Sequence, residues 1–179
     1  RFYDATDGEV LVDGVNVKDF KFDTLYDKLG YVTQKAVLFA GSIRENVFFG
    51  ESAAPETDEE LKNAIELSQA EEFVDKLPDG AEHMISQMGR NVSGGQKQRL
   101  SIARALSRKP EILVFDDSFS ALDYKTDAKL REGLNEKLKD TTKIIVAQRI
   151  STIRHADKII VLDRGEAVGM GTHEELMKN

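Results

Sequence analysis

The chain contains the stretch Val92-Ser93-Gly94-Gly95-Gln96-Lys97-Gln98-Arg99, and a helix-like run over residues 100–106 follows it directly. Ser93 is a favoured N-cap residue, so the stretch predicts the start of a helix. The two glycines leave backbone N–H groups uncovered at that start, where the unpaired donors favour an anion. The stretch therefore predicts a phosphate-binding helix terminus, and the alternative is a capped surface helix whose Gly-Gly is only a turn.

The residues that follow this helix favour the first interpretation. Residues 112–115 are apolar and end in Asp116-Asp117. Ser-Gly-Gly-Gln-x-Gln-Arg before a basic amphipathic helix, and then such a strand, resembles the signature motif and Walker B strand of the ATP-binding cassette (ABC) ATPases. The resemblance covers nearly the whole chain. It implies an α/β fold with a P-loop NTPase (RecA-like) parallel sheet core, a helical signature subdomain and a small antiparallel β part at the N-terminus.

Composition limits the possible functions. The 179 residues include 40% hydrophobic and 32% charged side chains, which is typical of a globular protein with one core. The net charge of -7 gives no electrostatic attraction to a phosphate backbone, so no nucleic acid partner is expected. The chain has no cysteine, which excludes disulfides and thiol chemistry. Its apolar runs are strand-sized, far below the roughly 18 residues that indicate a spanning helix, so no segment is expected to cross a membrane.

The pattern up to Pro110 is mostly helical after an N-terminal hairpin. The expected elements are a hairpin over residues 9–17, a helix over 23–28, a strand over 31–33, a helix capped by Ser42, and helices over 58–70 and 71–77. The hairpin is indicated by alternating apolar residues around Asp13-Gly14.

After Pro110 the pattern changes to apolar strands. The expected elements are strands over residues 112–116, 143–147, 158–162 and 166–170, a helix over 125–139 and a final helix with a capping box at residues 172–175. Continuous apolar strands joined through helices favour a parallel sheet covered on both faces. We expect one nucleotide-binding domain over residues 1–179, with a core of residues 1–34 and 111–179 and a helical lobe of residues 35–110 that lies apart from the sheet.

The resemblance assigns roles to two residues at strand ends. Asp116 matches the Walker B aspartate, which implies that it holds the Mg²⁺ of MgATP through water. Gln34 matches the Q-loop glutamine, which implies that it contacts the metal and the nucleotide and reports their presence to the loop around Phe39. A carboxylate at the carboxyl edge of a parallel sheet suits this chemistry.

Two catalytic positions depart from the family pattern. A glutamate that polarises the attacking water follows the Walker B aspartate in active members, but this chain has Asp117, whose carboxylate is one methylene shorter. The family has a switch histidine where this chain has Gln148, and glutamine can hydrogen-bond to phosphate but cannot carry a proton. The two departures imply a degenerate site with poor hydrolysis, as in one subunit of heterodimeric multidrug-type exporters.

The resemblance also implies contacts with other chains. The signature residues complete the ATP site of a second ABC nucleotide-binding domain in a head-to-tail dimer, and in this chain they are Ser93, Gly94, Gly95 and Gln96. Residues 120–123 match the D-loop at the dimer interface, which makes Asp123 a further nucleotide-binding candidate, although it is also a good N-cap. The segment from Gln34 to Asn46 resembles the exporter branch, where it receives coupling helices of the transmembrane domain.

One motif is missing from the sequence. No G-x-x-x-x-G-K-[ST] occurs in the 179 residues, so the phosphate-cradling Walker A loop and its lysine are absent. Because Arg1-Phe2-Tyr3 resembles the end of the helix after that loop, we expect the loop upstream of Arg1. The isolated chain is accordingly expected to be inactive. His83, His155 and His173 lack metal-ligand spacing and are expected to be solvated surface residues.

The sequence thus predicts the ATP-binding and ATPase domain of an ABC exporter. It is expected to use ATP and Mg²⁺ and to act with a partner domain, as a heterodimer, on the cytoplasmic face of the cell membrane. A soluble ABC ATPase of DNA maintenance or translation is one alternative, against which the acidic charge and the exporter-like segment count. A non-hydrolysing, nucleotide-sensing regulatory half is the other, and it shares every residue with the first.

Overall fold

Three parallel strands form the sheet that carries the strand-end residues. The structure is a computed structural model that describes residues 3–178. The strands of the chain are β1 (Leu11–Val12), β2 (Val15–Asn16), β3 (Leu29–Val32), β4 (Gly41–Ser42), β5 (Met84–Ile85), β6 (Ile112–Asp116), β7 (Thr142–Val146), β8 (Ile159–Asp163) and β9 (Glu166–Gly171). The α-helices are α1 (Phe22–Asp27), α2 (Ile43–Val47), α3 (Asp58–Leu67), α4 (Glu71–Val74), α5 (Gly94–Ser107), α6 (Tyr124–Lys137), α7 (Ile150–Ile153) and α8 (His173–Leu176). The interpretation of Arg1-Phe2-Tyr3 falls largely outside the described residues.

The sheet has the strand order β3-β6-β7, and all of its pairs are parallel. Val32 lies beside Phe115, and Phe115 lies beside Ile145, so the three strands end at the same level. This confirms the prediction that the strands ending at Thr33, Asp116 and Ala147 share one sheet. The α/β class is also confirmed, with small antiparallel pairs outside the parallel sheet.

The prediction that both faces of the sheet are covered is wrong for the described residues. Val32, Leu113 and Phe115 are fully buried beneath the helices on one face. Tyr31 and Ile144, which lie on the opposite face, are 46% and 51% exposed. Within residues 3–178, the hydrophobic core therefore lies on the helix-covered face of the sheet.

The apolar strand over 158–162 was expected to belong to the same series of buried strands, and it does not. β8 pairs with β9 in an antiparallel hairpin, and among the described residues it pairs with no strand of the parallel sheet. The turn of this hairpin places Arg164 and Gly165 at φ 48° and φ 86°, the left-handed values of a tight hairpin turn. An apolar run cannot by itself distinguish a sheet partner from a hairpin strand.

One hydrophobic cluster joins the parts that were expected to form separate lobes. Leu61 and Ile65 of α3 belong to the same buried cluster as Leu113 and Phe115 of β6, although Val114 does not belong to it. Helix α5 lies within this cluster, with Leu100, Ile102 and Ala103 fully buried. The helices over 58–77 are therefore continuous with the core beneath the sheet.

Helix starts follow the predicted caps. Ser42, Ser93 and Thr172 each form a capping box with the residue three positions later, and Asp123 caps α6. The predicted helix over 125–139 occupies Tyr124–Lys137, and the one over 71–77 ends at Val74. Within residues 3–178, no helix has the length and apolar character needed to cross a bilayer.

Close packing between β3 and α5 leads to a stability prediction at Gly30. A Cβ atom at Gly30 would lie 2.7 Å from Leu113 Cδ2 and 3.0 Å from the Ala105 carbonyl oxygen. We expect Gly30→Ala to lower the free energy of unfolding by about 1–3 kcal/mol because the backbone must shift. Urea unfolding measures this loss. Gly94→Ala is the control, since its Cβ would meet nothing within 4 Å, and equal losses in the two variants would contradict the prediction.

Candidate functional site

Gln34, Asp117 and Gln148 come together at the carboxyl edge of the sheet. Gln34 Nε2 donates a hydrogen bond to Asp117 Oδ2 at 3.1 Å, and Gln148 Nε2 donates to the same oxygen at 3.2 Å. They follow the ends of β3, β6 and β7, which the parallel register brings to one level. The structure thus places three of the predicted site residues in direct contact.

The backbone fixes the position of Asp117. Its φ of 46° and ψ of 26° are left-handed, a conformation that aspartate adopts more readily than most residues. Its N–H donates to the Val146 carbonyl at 3.0 Å, which extends the β6–β7 pairing by one residue. The Ser120 hydroxyl donates to the Asp117 carbonyl at 2.7 Å. The carboxylate therefore leaves a backbone held by neighbouring segments.

Asp116 has a partner that the sequence analysis missed. The Tyr31 hydroxyl donates to Asp116 Oδ2 at 2.9 Å. This hydrogen bond, followed by partial burial and the negative charge of Asp116, raises the pKa of Tyr31 above its ordinary value of 10.0. Strand alternation could have indicated the contact, because Tyr31 lies beside Val114, two residues before Asp116 and on the same face.

The oxygen atoms at this edge suit Mg²⁺ in part. Mg²⁺ is commonly held by one or two carboxylates together with waters and substrate phosphates. Asp116 supplies a carboxylate, and Gln34, two residues after the end of the neighbouring strand β3, supplies an amide oxygen. Residues 3–178 contain no group of three or more His, Cys, Asp or Glu that could hold a metal alone. These donors thus fit a metal ion whose remaining ligands are waters and phosphate oxygens.

The predicted signature residues form a separate feature. Ser93 Oγ accepts the Gln96 N–H at 3.2 Å, and Gln96 Oε1 accepts the Ser93 N–H at 2.8 Å. A Cβ at Gly94 would meet nothing within 4 Å, while one at Gly95 would lie 3.5 Å from the Ala121 carbonyl oxygen. No hydrogen bond within the described residues joins these four residues to Asp116 or Asp117. The helix start is open where an anion would approach.

Asp123 acts as a helix cap. It accepts from the N–H groups of Lys125 and Thr126 at 3.1 and 3.0 Å and from the Thr126 hydroxyl at 2.6 Å. The Thr126 hydroxyl contributes most to lowering the pKa of Asp123, and the backbone N–H of Thr126 adds to it. The loop before Asp123 contacts the segment after β7, since Arg149, which follows Gln148, donates to the Ser120 carbonyl at 3.2 Å.

The segment after Gln34 carries an exposed aromatic pair. The rings of Phe39 and Phe49 stack with centroids 4.0 Å apart, and the two residues are 42% and 49% exposed. Arg104 of α5 lies 5.5 Å from each ring and donates to the carbonyl oxygens of Asn46 and Val37 at 2.7 and 3.0 Å. Burial lowers the pKa of Arg104 to about 10. The sequence analysis missed Phe49 and Arg104, and the Arg104 hydrogen bonds cross 58 and 67 residues of chain.

The sequence and the fold are both similar to those of known proteins. A family model described as ABC transporter matches residues 1–120. ABC transporter B family member 21 of Arabidopsis thaliana is 43% identical over 179 residues, which are 100% of this chain and 14% of that protein. A putative multidrug export ATP-binding/permease protein of Staphylococcus aureus (strain NCTC 8325) is 45% identical over 99% of this chain and 30% of that protein.

A solved structure has the same fold. The structure of a bacterial Atm1-family ABC exporter with ATP bound superposes with a TM-score of 0.93 and 35% sequence identity, and the match covers 99% of this chain and 31% of that one. The chain therefore spans less than a third of each of these three proteins.

The Tyr31–Asp116 contact can be tested by titration. Because the folded-state pKa of Tyr31 is raised, the stabilisation from this contact is present below pH 10 and is lost as the pH rises through that pKa. We expect Asp116→Asn to move the Tyr31 pKa back toward 10.0. NMR of ring-labelled tyrosine follows each phenol separately. Asp117→Asn is the control, and an equal shift in both variants would show that Asp116 is not the specific partner.

Proposed function

The chain belongs to the ABC transporter family, and we propose that it is the ATP-binding domain of an exporter that couples ATP binding and hydrolysis to transport across a membrane. The observation that carries this proposal is the pair of nucleotide features on one fold. An open, capped helix start at Ser93 lies in one place, and a strand-end group around Asp117 lies in another. The similarity to family members named as exporters extends over 99% of the chain.

The separation of the two features supports a dimer in which each ATP lies between two chains. The start of α5 has uncovered N–H donors, which suit the phosphates of a nucleotide held mainly by a partner domain. Ser93, Gly94, Gly95 and Gln96 would complete that partner's site. Asp123 would lie at the interface, where its capping of α6 keeps the D-loop in place.

The chemistry at Asp117 supports a weak hydrolytic site in this chain. Compared with glutamate, the Asp117 carboxylate is withdrawn by about 1.5 Å, one C–C bond. One of its oxygens accepts two amide hydrogen bonds, which occupy that oxygen and hold the carboxylate in one orientation. A general base must lie within hydrogen-bond reach of the attacking water. Gln148 orients the carboxylate and can donate to phosphate, but it takes up no proton.

Asp116 and Gln34 are the residues that would hold Mg²⁺ with ATP. When bound, the metal would neutralise charge on the phosphates. Tyr31 would compete with it for one Asp116 oxygen, because a hydroxyl that donates to that oxygen occupies a lone pair. The phosphate-cradling loop is not among these 179 residues, so most contacts to the nucleotide would come from elsewhere.

The exposed aromatic pair supports a transmembrane partner on the segment from Gln34 to Asn46. Phe39 and Phe49 offer apolar surface, and Arg104 holds the backbone shortly before each ring. A short helix of a transmembrane domain would bury these rings. The domain would then work on the cytoplasmic face of the membrane, with the partner domain of a heterodimer beside it.

The non-hydrolysing, nucleotide-sensing half remains a second candidate. It is favoured by the same two residues, Asp117 and Gln148, because neither supplies the acid–base chemistry expected of an active site. The two candidates differ in whether the assembled pair turns over ATP through the site that Ser93 completes.

The isolated 179-residue chain is predicted to bind MgATP with a dissociation constant well above the micromolar range. The chain lacks the phosphate-cradling loop and the lysine of that loop. Few charge-assisted hydrogen bonds would therefore reach the phosphates. Calorimetric titration measures the affinity. Asp116→Ala should change the affinity little, because Mg²⁺ would reach Asp116 only together with a tightly bound nucleotide. Micromolar binding would contradict the prediction.

In the complete heterodimer, Ser93→Arg is predicted to lower steady-state ATP hydrolysis by about tenfold or more, because the long side chain would displace phosphate from its N–H donors. Asp117→Ala should lower it less than about twofold, since the base it removes is badly placed.

The control for Ser93→Arg is Thr172→Arg, which breaks an equivalent capping box on α8. That variant should retain hydrolysis, so a similar loss would show that capping alone explains the effect. If Asp117→Ala silences the complex while Ser93→Arg leaves it active, the assigned roles are reversed.

A further inference from the structure

A buried glutamine connects the signature helix to the site around Asp117. Gln98 is 1% exposed, although it lies in the second turn of α5 among charged residues of the sequence. Its Nε2 donates to the Thr33 carbonyl oxygen at 3.2 Å, across 65 residues of chain. Burying an amide is unfavourable unless its polar atoms are paired. The hydrogen bond to Thr33 therefore offsets part of the cost of burying the Gln98 side chain.

The acceptor of this hydrogen bond lies directly before Gln34. Thr33 follows the last residue of β3, and its hydroxyl donates to the Lys35 carbonyl at 2.8 Å, which closes the turn around Gln34. Gln34 then donates to Asp117 Oδ2. Gln98 is therefore linked to Asp117 through the turn, by one hydrogen bond to Thr33 and a second one from Gln34.

The geometry of α5 makes this link stiff. Gln98 lies four residues after Gly94, which is slightly more than one helical turn, or about 6 Å along the axis. The helix start is fixed by the Ser93 capping box, and the next turn is anchored by fully buried Leu100 and Ile102. A movement of residues Ser93–Gln96 would therefore move Gln98 by nearly the same distance.

We propose that Gln98 is a positioning residue that holds the Thr33–Gln34 turn so that Gln34 contacts Asp117. It thereby couples the helix start that contacts one nucleotide to the strand-end site of the same chain. The positioning is a property of this chain alone, while the coupling between two nucleotides rests on the proposed function.

Gln98→Met tests the positioning in the 179-residue chain. Methionine has nearly the same shape but has no N–H to donate, so the core stays filled while the Thr33 carbonyl loses its partner. We measure ¹⁵N relaxation of the Gln34 side-chain amide. Its order parameter should fall below that in the unmodified chain, toward the values below about 0.6 that mark a flexible group.

Ser101→Ala is the matched control, because Ser101 is also buried on α5 but does not contact Thr33. It should leave the Gln34 amide as ordered as in the unmodified chain. If Gln98→Met lowers the urea midpoint but leaves the Gln34 amide ordered, Gln98 is only a core residue and the proposal is overturned.

A second measurement needs no variant and decides the case if Gln98→Met fails to fold. Hydrogen exchange of the Gln98 side-chain amide in the unmodified chain should be about tenfold or more slower than that of exposed Gln34, because its hydrogen bond is buried. Exchange as fast as that of Gln34 would overturn the proposal.

In the complete complex, Gln98→Met should lower kcat for ATP about three- to tenfold with little change in KM. The loss should exceed that of Asp117→Ala, because Gln98→Met loosens the link between Gln34, which would hold Mg²⁺, and the helix start that would complete the partner's site, whereas Asp117→Ala removes only a badly placed base. Unchanged hydrolysis with a disordered Gln34 amide would count against the proposed coupling between nucleotides and would leave the positioning role intact.

Discussion

The burial of α5 is the constraint on which the rest of this structure depends. Its inner face is fully buried at Leu100, Ile102 and Ala103, and each buried Leu or Ile side chain contributes about 1.5–3 kcal/mol of transfer free energy. The same helix packs closely on β3, where Gly30 leaves no room for a side chain. Because α5 cannot rotate or slide without exposing this surface, its polar side chains project from fixed positions.

Those polar side chains secure the loops on both sides of the helix. Gln98 holds the turn after β3, and Arg104 holds the backbone beneath the Phe39–Phe49 pair. Arg104 has three backbone or side-chain oxygen acceptors and no carboxylate among its described partners, so burial lowers its pKa to about 10. A buried charge satisfied by carbonyl oxygens fixes the direction of the backbone that supplies them. The nucleotide features and the exposed aromatic pair are thus attached to one rigid element.

The parallel sheet contributes a different constraint. Since β3, β6 and β7 run in one direction and end at one level, the residues after them meet, and the site around Asp117 consists of side chains far apart in sequence. Two side-chain amides donate to one oxygen of the Asp117 carboxylate. They occupy that oxygen and hold the carboxylate in one orientation, which fits a site that binds better than it catalyses.

Much of this followed from the sequence alone, because local chemistry determines it. The caps at Ser42, Ser93 and Thr172 and the hairpin around Asp13-Gly14 follow from residue type and spacing. The grouping of Gln34, Asp117 and Gln148 was implied by the family resemblance. Other features required the tertiary structure, since they depend on contacts between distant segments. An apolar run looks the same in a buried strand as in the β8–β9 hairpin, and a polar residue on a helix looks the same whether exposed or buried like Gln98. Tyr31, Arg104 and Gln98 find their partners across 58 to 85 residues, and only the packing of α5 and β3 decides which carbonyl or carboxylate each one reaches.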